Sequence, residues 1–351
     1  MRRELADVWI YFADTSCRGY SPLYNRICRA VAANDKVLDL IGEAPRRGHQ
    51  PNVLLGAVHY LLLGGLDHPL AAVYAGASDA DPGPLFVDVC LTHRAEVLEL
   101  LATRHTNTNE VGRSAIVGPA LTDVAARCGE PLGLVDVGCS AGANMYCDRY
   151  LLDYGANGTT GPADAAVRIA CDVVGGHPPL APMLPAIAAR IGIDRDPVDL
   201  TDDDNVRWQL ACVWPDTGRL PRTRRALEEV RRTPPQIVRG DAVEAVGDVV
   251  ARLPGEATAV VTTTWAIAYL PPARRIEFRD ALAVASRDRT VAWVSAESAG
   301  VIEFFGDIAA PADADGMEAS VLGLALFRGG NAEADVLAFV HPHGSWIEWL
   351  G

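Results

Sequence analysis

The sequence predicts an α/β fold in which a mainly parallel sheet with flanking helices, residues 131–351, follows a helical accessory domain, residues 1–130. Three observations predict it. The stretch G-L-V-D-V-G-C-S-A-G-A-N, residues 133–144, runs from a short apolar segment into small residues, as a buried strand does where it turns into a helix. After it, apolar runs alternate with helical patterns to the end of the chain. Before residue 102, apolar residues recur at helical spacing.

The N-terminal segments are predicted to be helices because their apolar residues recur three and four positions apart, between punctuating prolines. His59 and His93 fall within these helices, and we interpret each as a hydrogen-bonded structural histidine. The longest apolar stretch, residues 53–63, is too short to span a bilayer. The first residues carry charges and lack the apolar segment of a secretion signal, so a cytoplasmic protein that does not bind membranes is expected.

Composition narrows the classes of function. Hydrophobic residues make up 49% of the 351 residues, enough for a core without disulfides, and the eight cysteines contain no C-x-x-C pair. The net charge of −14 argues against nonspecific binding of nucleic acid. Every basic residue except Lys36 is arginine, and no G-x-x-x-x-G-K-[ST] loop occurs. Nucleotide hydrolysis of that type and pyridoxal chemistry are therefore disfavoured.

The pattern after residue 144 predicts the remaining elements of the second domain. Residues 144–154 are expected to continue as a helix closed by Gly155, and insertions are expected near residues 156–187 and 201–235. Apolar runs predict strands at residues 167–174, 191–193, 236–239, 257–264 and 290–295, and then a hairpin of residues 321–327 and 336–340. Right-handed crossovers then predict a parallel sheet with one antiparallel strand.

The small residues of the turn form a candidate nucleotide or nucleoside site. Gly138 and Gly142 have no Cβ to keep a ligand from the backbone, so bulk at Gly142 is expected to abolish binding while leaving the fold intact. Ser140 is expected to cap the following helix, whose free N–H groups make an electropositive cradle. Asp136, at the end of the strand, and Asn144 complete this set. Turns of this kind also occur where nothing binds.

Ligands of open parallel sheets gather beyond the carboxyl ends of the strands. Asp194 ends the predicted strand 191–193 and is the candidate for the two ribose hydroxyls, with Asp172 as its rival. Asp241 follows the next strand, where a carboxylate accepts from an adenine amino group. Trp265 follows the strand after that and completes the candidate cofactor contacts of this edge.

Two polar segments have both a structural and a functional interpretation. In R-H-T-N-T-N-E-V-G-R, residues 104–113, Arg113 is the candidate partner of a ligand carboxylate and Glu110 of an ammonium. The alternative is a loop whose Thr and Asn side chains cap their own backbone. Residues 208–239 are rich in arginine, for which a solvated helix face is favoured over a cap that recognises an acidic substrate.

The core from residue 134 onwards resembles class I S-adenosylmethionine-dependent methyltransferases, with Ser140 in the place of the middle glycine of their first motif. The whole chain resembles a bacterial family, domain of unknown function 2332, through S-P-L-Y (21–24), A-V-H-Y-L-L-L (57–63), T-N-E-V-G-R (108–113), G-C-S-A-G-A-N (138–144), R-I-G-I-D (190–194), C-V-W-P-D (212–216) and H-G-S-W-I-E-W-L (343–350). The first resemblance implies a Rossmann-like sheet of seven strands and S-adenosyl-L-methionine as cofactor.

Methyl transfer to a small-molecule acceptor is therefore the expected function. The candidate bases His341, His343 and Glu297 lie near the ends of late strands. No metal is expected, because the two histidines lack an evident third ligand. Trp265 and Trp346 are candidate walls for an adenine, a cationic methyl or an aromatic acceptor, or else core aromatics.

One departure from the resemblance bears on the acceptor. Methyltransferases that act on nucleobase or glutamine nitrogens carry a polar-Pro-Pro-aromatic motif after the fourth strand, whereas this chain has T-T-T-W-A at residues 262–266. The alternative function is a non-catalytic protein that binds a nucleoside or S-adenosylmethionine on the same fold. A nicotinamide oxidoreductase is disfavoured, because D-x-G-x-S-x-G differs from the G-x-G-x-x-G spacing of its loop.

Overall fold

The computed structural model describes residues 1–107, 109–306, 308–312 and 318–351, so Thr108 of the T-N-E-V-G-R motif lies outside the described residues. The helices are α1 (Arg2–Thr15), α2 (Pro22–Ala32), α3 (Asp35–Glu43), α4 (Pro51–Leu63), α5 (Leu70–Tyr74), α6 (Pro82–Thr92), α7 (Arg94–Thr103), α8 (Ser114–Cys128), α9 (Asp203–Ala211), α10 (Leu220–Arg232), α11 (Ala242–Ala251) and α12 (Pro272–Ala285). The strands are β1 (Leu132–Val137), β2 (Leu151–Asp153), β3 (Thr159–Thr160), β4 (Arg168–Ala170), β5 (Asp172–Gly175), β6 (Ile187–Asp194), β7 (Gln236–Arg239), β8 (Thr258–Thr264), β9 (Val291–Ser298), β10 (Ser320–Arg328), β11 (Asn331–Val340) and β12 (Trp346–Trp349).

Two compact units divide the chain: residues 1–108 with 201–224, and residues 109–200 with 225–351. The first unit is helical and contains α1 to α7, α9 and the start of α10 around one apolar core. The second contains the strands and the remaining helices. None of the helices in the described part of the chain is long and apolar enough to cross a membrane.

Asp216 of the C-V-W-P-D motif ties residues 201–224 to the N-terminal helices within the first unit. Its carboxylate accepts the Ser21 hydroxyl at 2.7 Å and the Leu23 backbone N–H at 3.0 Å. The Trp214 ring lies 5.2 Å from the ring of Tyr24, centroid to centroid. The S-P-L-Y and C-V-W-P-D motifs thus contact each other, which gives both a structural role.

His59 is a buried histidine of the same unit. Its Nδ1 lies 3.0 Å from the Ala211 carbonyl oxygen, and its ring lies 5.3 Å from that of Tyr74. Burial lowers the pKa of His59 to about 4, because a charged imidazole would lose its hydration there. At neutral pH the ring is uncharged.

The second unit is built on a mixed sheet of nine strands, in the order β5-β12-β11-β10-β9-β8-β1-β6-β7 within the described residues. The five strands β7, β6, β1, β8 and β9 run parallel. After β1 the chain forms β6 and β7 on one side of β1, and later β8 and β9 on the other side. The carboxyl ends beside β1 therefore form a topological switch point, where ligands of open α/β sheets bind.

The sheet differs from the sequence expectation in two respects. It has nine strands rather than seven, because β12 pairs with the outer edge of β11 and β5 pairs with β12. Three strands, β10, β12 and β5, run against the five parallel ones, whereas one was expected. The additional strands cover the edge that the β10–β11 hairpin would otherwise leave unpaired.

The predicted helix at residues 144–154 is wrong. Ala143–Arg149 forms a 3₁₀ segment, interrupted at Tyr146, and β2 follows at once. The phenol of Tyr150 is fully buried and donates to the Ala143 carbonyl oxygen at 2.7 Å, which holds the chain in this shorter path. β2 then pairs with β3 and β4 in a separate three-stranded sheet. β3 and β4 lie within the region expected to be an insertion, whereas β2 lies within the segment expected to be a helix.

Candidate functional site

Three residues of the turn after β1 lie in the left-handed region: Gly138 at φ +72°, Ser140 at φ +54° and Gly142 at φ +85°. Because L side chains rarely adopt this region, Ser140 stands where glycine is ordinarily preferred. Ser140 does not cap the following 3₁₀ segment, which has no side-chain cap. Its backbone N–H instead donates to the Asp194 carboxylate at 2.8 Å. The turn is thus strained, and a side chain from the neighbouring strand holds it.

The space beside the two glycines is filled by the chain itself. A Cβ on Gly138 would lie 3.0 Å from the Ala266 Cβ. One on Gly142 would lie 2.8 Å from both the Met145 methyl carbon and Pro235 Cγ. The expectation that bulk at Gly142 leaves the fold intact is therefore wrong, because any side chain there displaces its neighbours.

Asp136, the penultimate residue of β1, is a buried carboxylate. It accepts the Thr262 hydroxyl at 2.8 Å and the Asn109 side-chain amide at 3.3 Å. Burial raises the pKa of the Asp136 carboxyl to about 7, and the nearby charge of Asp194 acts in the same direction. The two hydrogen bonds and the Arg113 guanidinium oppose that rise without cancelling it. Near neutral pH the group is therefore poised between its charged and neutral forms.

Asn109 connects Asp136 to the turn. Its amide also donates to the Cys139 carbonyl oxygen at 3.1 Å, and its own oxygen accepts the amide of Asn144. The Ser114 hydroxyl donates to the other end of Asn144, at 3.3 Å. Sequence reasoning singled out Asn144 and missed Asn109, although Asn109 lies in the T-N-E-V-G-R motif directly before Glu110.

The R-I-G-I-D motif places alternate residues of β6 against the turn and the 3₁₀ segment. Arg190 donates through Nε to the Met145 carbonyl oxygen at 2.8 Å. Gly192 leaves room for the Cys139 thiol, whose Sγ a Cβ at residue 192 would overlap. Asp194 accepts the Ser140 N–H. Because residues i, i+2 and i+4 of a strand share one face, this spacing makes one side of β6 a support for the loop.

The structure separates the two rivals for the ribose position. Asp194 lies at the carboxyl end of β6, next to β1, and accepts the N–H groups of Ser140 and Asp196, each at 2.8 Å. Asp172 begins β5, at the opposite edge of the sheet. Asp194 is thus the carboxylate beside the turn.

Asp241 is the second residue after β7, and the N–H of Gly240 before it donates to the Asp194 carbonyl oxygen at 2.9 Å. Its carboxylate caps α11 through the Val243 N–H at 3.0 Å. It also pairs with the Arg274 guanidinium at 2.7 Å and with that of Arg195. These contacts lower the pKa of Asp241, although burial opposes them, so the group is charged and already well supplied with donors.

Arg113 and Glu110 make backbone contacts. Arg113 is buried, and its guanidinium donates to the carbonyl oxygens of Thr264, at the end of β8, and of Pro342, each at 2.9 Å. Glu110 accepts the Gly112 N–H at 2.8 Å. Arg113 therefore joins the loop before α8 to the ends of two other segments, and its charge opposes the rise in pKa that burial causes at both Asp136 and Glu297.

Trp265 follows β8 directly and, like Ser140, is a non-glycine residue at positive φ, at +54°. Its backbone N–H donates to the Ala296 carbonyl oxygen and its indole N–H to the Ser320 hydroxyl, each at 2.9 Å. Trp265 as a whole is partly exposed. Backbone strain of this kind clusters at functional sites, and here it occurs at the ends of adjacent strands, β1 and β8.

Glu297, in β9, is buried beneath the turn that Trp265 begins. Its carboxylate accepts three successive backbone N–H groups, those of Ala266 and Ile267 at 2.9 Å and that of Ala268 at 3.2 Å. Burial raises the pKa of Glu297, against the effect of these three hydrogen bonds. The oxygens of this candidate base are therefore engaged in holding the turn.

His341 and His343 lie close together after β11, with ring centroids 5.5 Å apart. The Nδ1 of His341 accepts the His343 backbone N–H at 3.0 Å, so the neutral His341 ring carries its proton on Nε2. The Trp346 ring meets His341 edge-on at 6.2 Å. His343 is the more exposed of the two histidines.

Within residues 1–107, 109–306, 308–312 and 318–351, no group of three His, Cys, Asp or Glu side chains is placed to hold a metal ion. The chemistry that these residues offer is that of carboxylates, amides and imidazoles. Asp136, Asn109, Asn144 and the Ser140 turn form one hydrogen-bonded network, which Asp194 meets from β6.

Residues 138–142 also spell G-x-S-x-G, the pattern of a hydrolase nucleophile elbow, where a strained serine follows a strand. In that motif the hydroxyl is exposed at the top of the sheet. Ser140 is only 1% exposed. The chain therefore departs from the elbow at the side chain that would react.

The model of a family described as "Uncharacterized protein conserved in bacteria", domain of unknown function 2332, matches residues 6–349. A search of curated proteins finds no match. The match covers both compact units. The family description names no activity, so a function has to be argued from the site.

Proposed function

The chain belongs to the family of domain of unknown function 2332, and for this member we propose that it binds S-adenosyl-L-methionine and methylates a small molecule. The observation that carries the proposal is the buried Asp136 carboxylate at the switch point of the sheet, with a pKa of about 7. Such a group is stabilised in its charged form by a cation. The proposed cofactor carries two positive centres, an ammonium and a sulfonium.

The order of the parallel strands supports this proposal. When the five parallel strands are renumbered 1 to 5 in chain order, their spatial order β7-β6-β1-β8-β9 becomes 3-2-1-4-5. Sheets with this order bind nucleotides in the crevice beside strand 1. The positive φ of Ser140 also suits a position where related loops carry glycine. Both features favour a Rossmann-like core within the larger sheet.

The contacts suggest a division of roles among the site residues. We propose that Asp136, which is hydrogen-bonded to Asn109, faces the cationic amino-acid end of the cofactor. It takes the role expected of Glu110, because the Glu110 carboxylate accepts the Gly112 N–H. Asp194 is proposed for the ribose, because a carboxylate that accepts two N–H groups retains further lone pairs. Arg113 is proposed to hold the loop rather than the ligand carboxylate.

When bound, S-adenosyl-L-methionine supplies an already activated methyl group. The chain then has to hold an acceptor in line with it and, where required, remove a proton. His343 is the proposed base, since it is the more exposed histidine and since Glu297 is engaged with three N–H groups. We propose a small acceptor rather than nucleic acid because the net charge is −14.

A second candidate is a non-catalytic protein that binds the same ligand. It is favoured by the engagement of Glu297 and of His341 Nδ1 in backbone hydrogen bonds, which takes two of the three candidate bases out of reach of a substrate proton. Turnover decides between the candidates. Methyl transfer to any component of a metabolite extract supports the enzyme, and binding without turnover supports the sensor.

Isothermal titration calorimetry with S-adenosyl-L-methionine and S-adenosylhomocysteine tests the proposal, with NADH as the negative ligand. We expect Asp194→Ala to weaken binding by about 1 to 3 kcal/mol, the cost of leaving buried donors unpaired. Asp172→Ala, at the far edge of the sheet, is the matched control and should bind as the native chain does. Absence of binding by the native chain would refute the proposal, as would labelling of Ser140 by a fluorophosphonate.

A further inference from the structure

We propose that the turn after β8 is an aromatic platform, formed by Trp265 and Tyr269, which selects a flat aromatic acceptor. This inference rests on the proposed function and deepens it by naming the class of acceptor. Trp265 is partly exposed, and Tyr269 is 82% exposed, the largest exposed fraction among the large hydrophobic side chains of the described residues. Both rings belong to one turn at the carboxyl end of a central strand.

The backbone of this turn is anchored from below. The Glu297 carboxylate accepts the N–H groups of Ala266, Ile267 and Ala268 at 2.9 to 3.2 Å. A carboxylate that gathers three successive N–H groups fixes the dihedral angles of the residues between them. The short 3₁₀ segment that carries Tyr269 is thus held by a neighbouring strand, which is unusual for an exposed loop.

A second side chain anchors the carbonyl groups of the same turn. Arg275, in α12, donates to the oxygens of Ala268 at 3.2 Å, Leu270 at 2.9 Å and Val301 at 3.0 Å. The guanidinium therefore closes the far end of the segment that Glu297 holds at its start. Between them, the two charged residues satisfy backbone donors and acceptors on both sides of Tyr269.

The indole is fixed separately. Ser320, buried at the start of β10, accepts the Trp265 indole N–H at 2.9 Å. An aromatic side chain with a fixed ring loses little conformational entropy when a ligand binds, so the Trp265 indole gives contact area at low cost, and Tyr269 adds an exposed ring carried on an anchored backbone. The residues between them, Ala266, Ile267 and Ala268, carry no charge, which favours an uncharged, planar partner.

The test uses matched pairs of small uncharged probes by saturation-transfer NMR in the presence of S-adenosylhomocysteine: phenol against cyclohexanol, and benzyl alcohol against cyclohexylmethanol. We expect the aromatic member of each pair to bind and Tyr269→Ala to weaken it by about fivefold to tenfold. Tyr269→Phe keeps the ring and should restore the native affinity. Tyr11→Ala, at an equally apolar but unrelated exposed tyrosine, is the control and should change nothing.

Equal binding of the saturated probes, or an equal loss in Tyr11→Ala, would overturn the platform. An unchanged affinity in Tyr269→Ala would do the same. The affinity for S-adenosyl-L-methionine, measured on the same variants, separates the two proposals, because Tyr269→Ala should leave it within about twofold. A native chain that fails to bind the cofactor refutes the proposed function, whereas a chain that binds it without preferring aromatic probes refutes only the platform.

Discussion

Asp136→Asn removes a charge that the fold is expected to tolerate poorly. The pKa of the Asp136 carboxyl, about 7, lies above its ordinary value of 3.8, so the folded chain holds this proton more tightly than the unfolded chain. At 1.36 kcal/mol for each pKa unit, the difference corresponds to about 4 kcal/mol. This contribution to stability is fully present below pH 3.8 and is lost as the pH rises through 7.

Urea denaturation between about pH 4 and pH 8 measures this effect. Relative to the native chain, Asp136→Asn should gain about 4 kcal/mol of unfolding free energy over that range. The amide faces the Asn109 donor, which costs about 1 kcal/mol at every pH and leaves the slope unchanged. Asp172→Asn, at an exposed aspartate, is the control. A difference between the native chain and Asp136→Asn that does not vary with pH would refute the assignment of a buried, perturbed carboxyl.

Ligand binding provides a second measure of the same group. A cation beside Asp136 favours its charged form, so binding of S-adenosyl-L-methionine near pH 6 should release close to one proton. Calorimetry in buffers of different ionisation enthalpy reports that number directly. Asp136→Asn should abolish the release. Proton release that persists in this variant would assign it to another residue.

Two further predictions concern packing and a buried base. Gly192→Ala should destabilise the fold by about 1 to 3 kcal/mol, because the added methyl group would overlap the Cys139 thiol. Adding Cys139→Ala should recover part of this loss. If the two losses of stability simply add, the contact is absent. His59, with a pKa lowered to about 4 from 6.5, binds a proton less well in the folded chain, so it makes folding about 3 kcal/mol less favourable as the pH falls from 6.5 to 4. Urea denaturation of His59→Gln should show that much less acid sensitivity, and equal sensitivity would contradict the lowered pKa.

Strand positions could be predicted from the sequence because buried parallel strands are short, continuous apolar runs. The run at residues 257–264 became β8, and the run at 290–295 became most of β9. The segment after Gly142 could not be predicted in the same way. Its helical spacing is real, but the phenol of Tyr154 donates to the Ala115 carbonyl oxygen at 2.8 Å, and tertiary contacts of this kind override local preference.

The sequence predicted which candidate residues lie at the carboxyl ends of the parallel strands, and it did not predict the contacts that they make. The carboxyl ends of parallel strands bring Asp136, Asp194 and Trp265 to one edge, which follows from topology. Which donor each carboxylate accepts depends on loop geometry that no periodicity encodes. Asn109 and Glu297 illustrate this: the first is a central link of the network, and the second holds a turn, where sequence had suggested a base.

The kind of hydrogen-bond donor that each carboxylate accepts distinguishes structural from functional residues in this protein. Glu297, Asp194 and Asp216 each accept two or more donors that include backbone N–H groups, so each holds a particular piece of chain in place. Asp136 accepts only side-chain donors among its described contacts, and its charge lowers the stability of the fold. A neutral residue of the same shape would fill that position at lower cost to folding. We expect a binding site at a residue that destabilises the ligand-free protein and whose charged form a bound cation stabilises. For this reason the ligand proposal is placed on Asp136 rather than on the carboxylates around it that accept more donors.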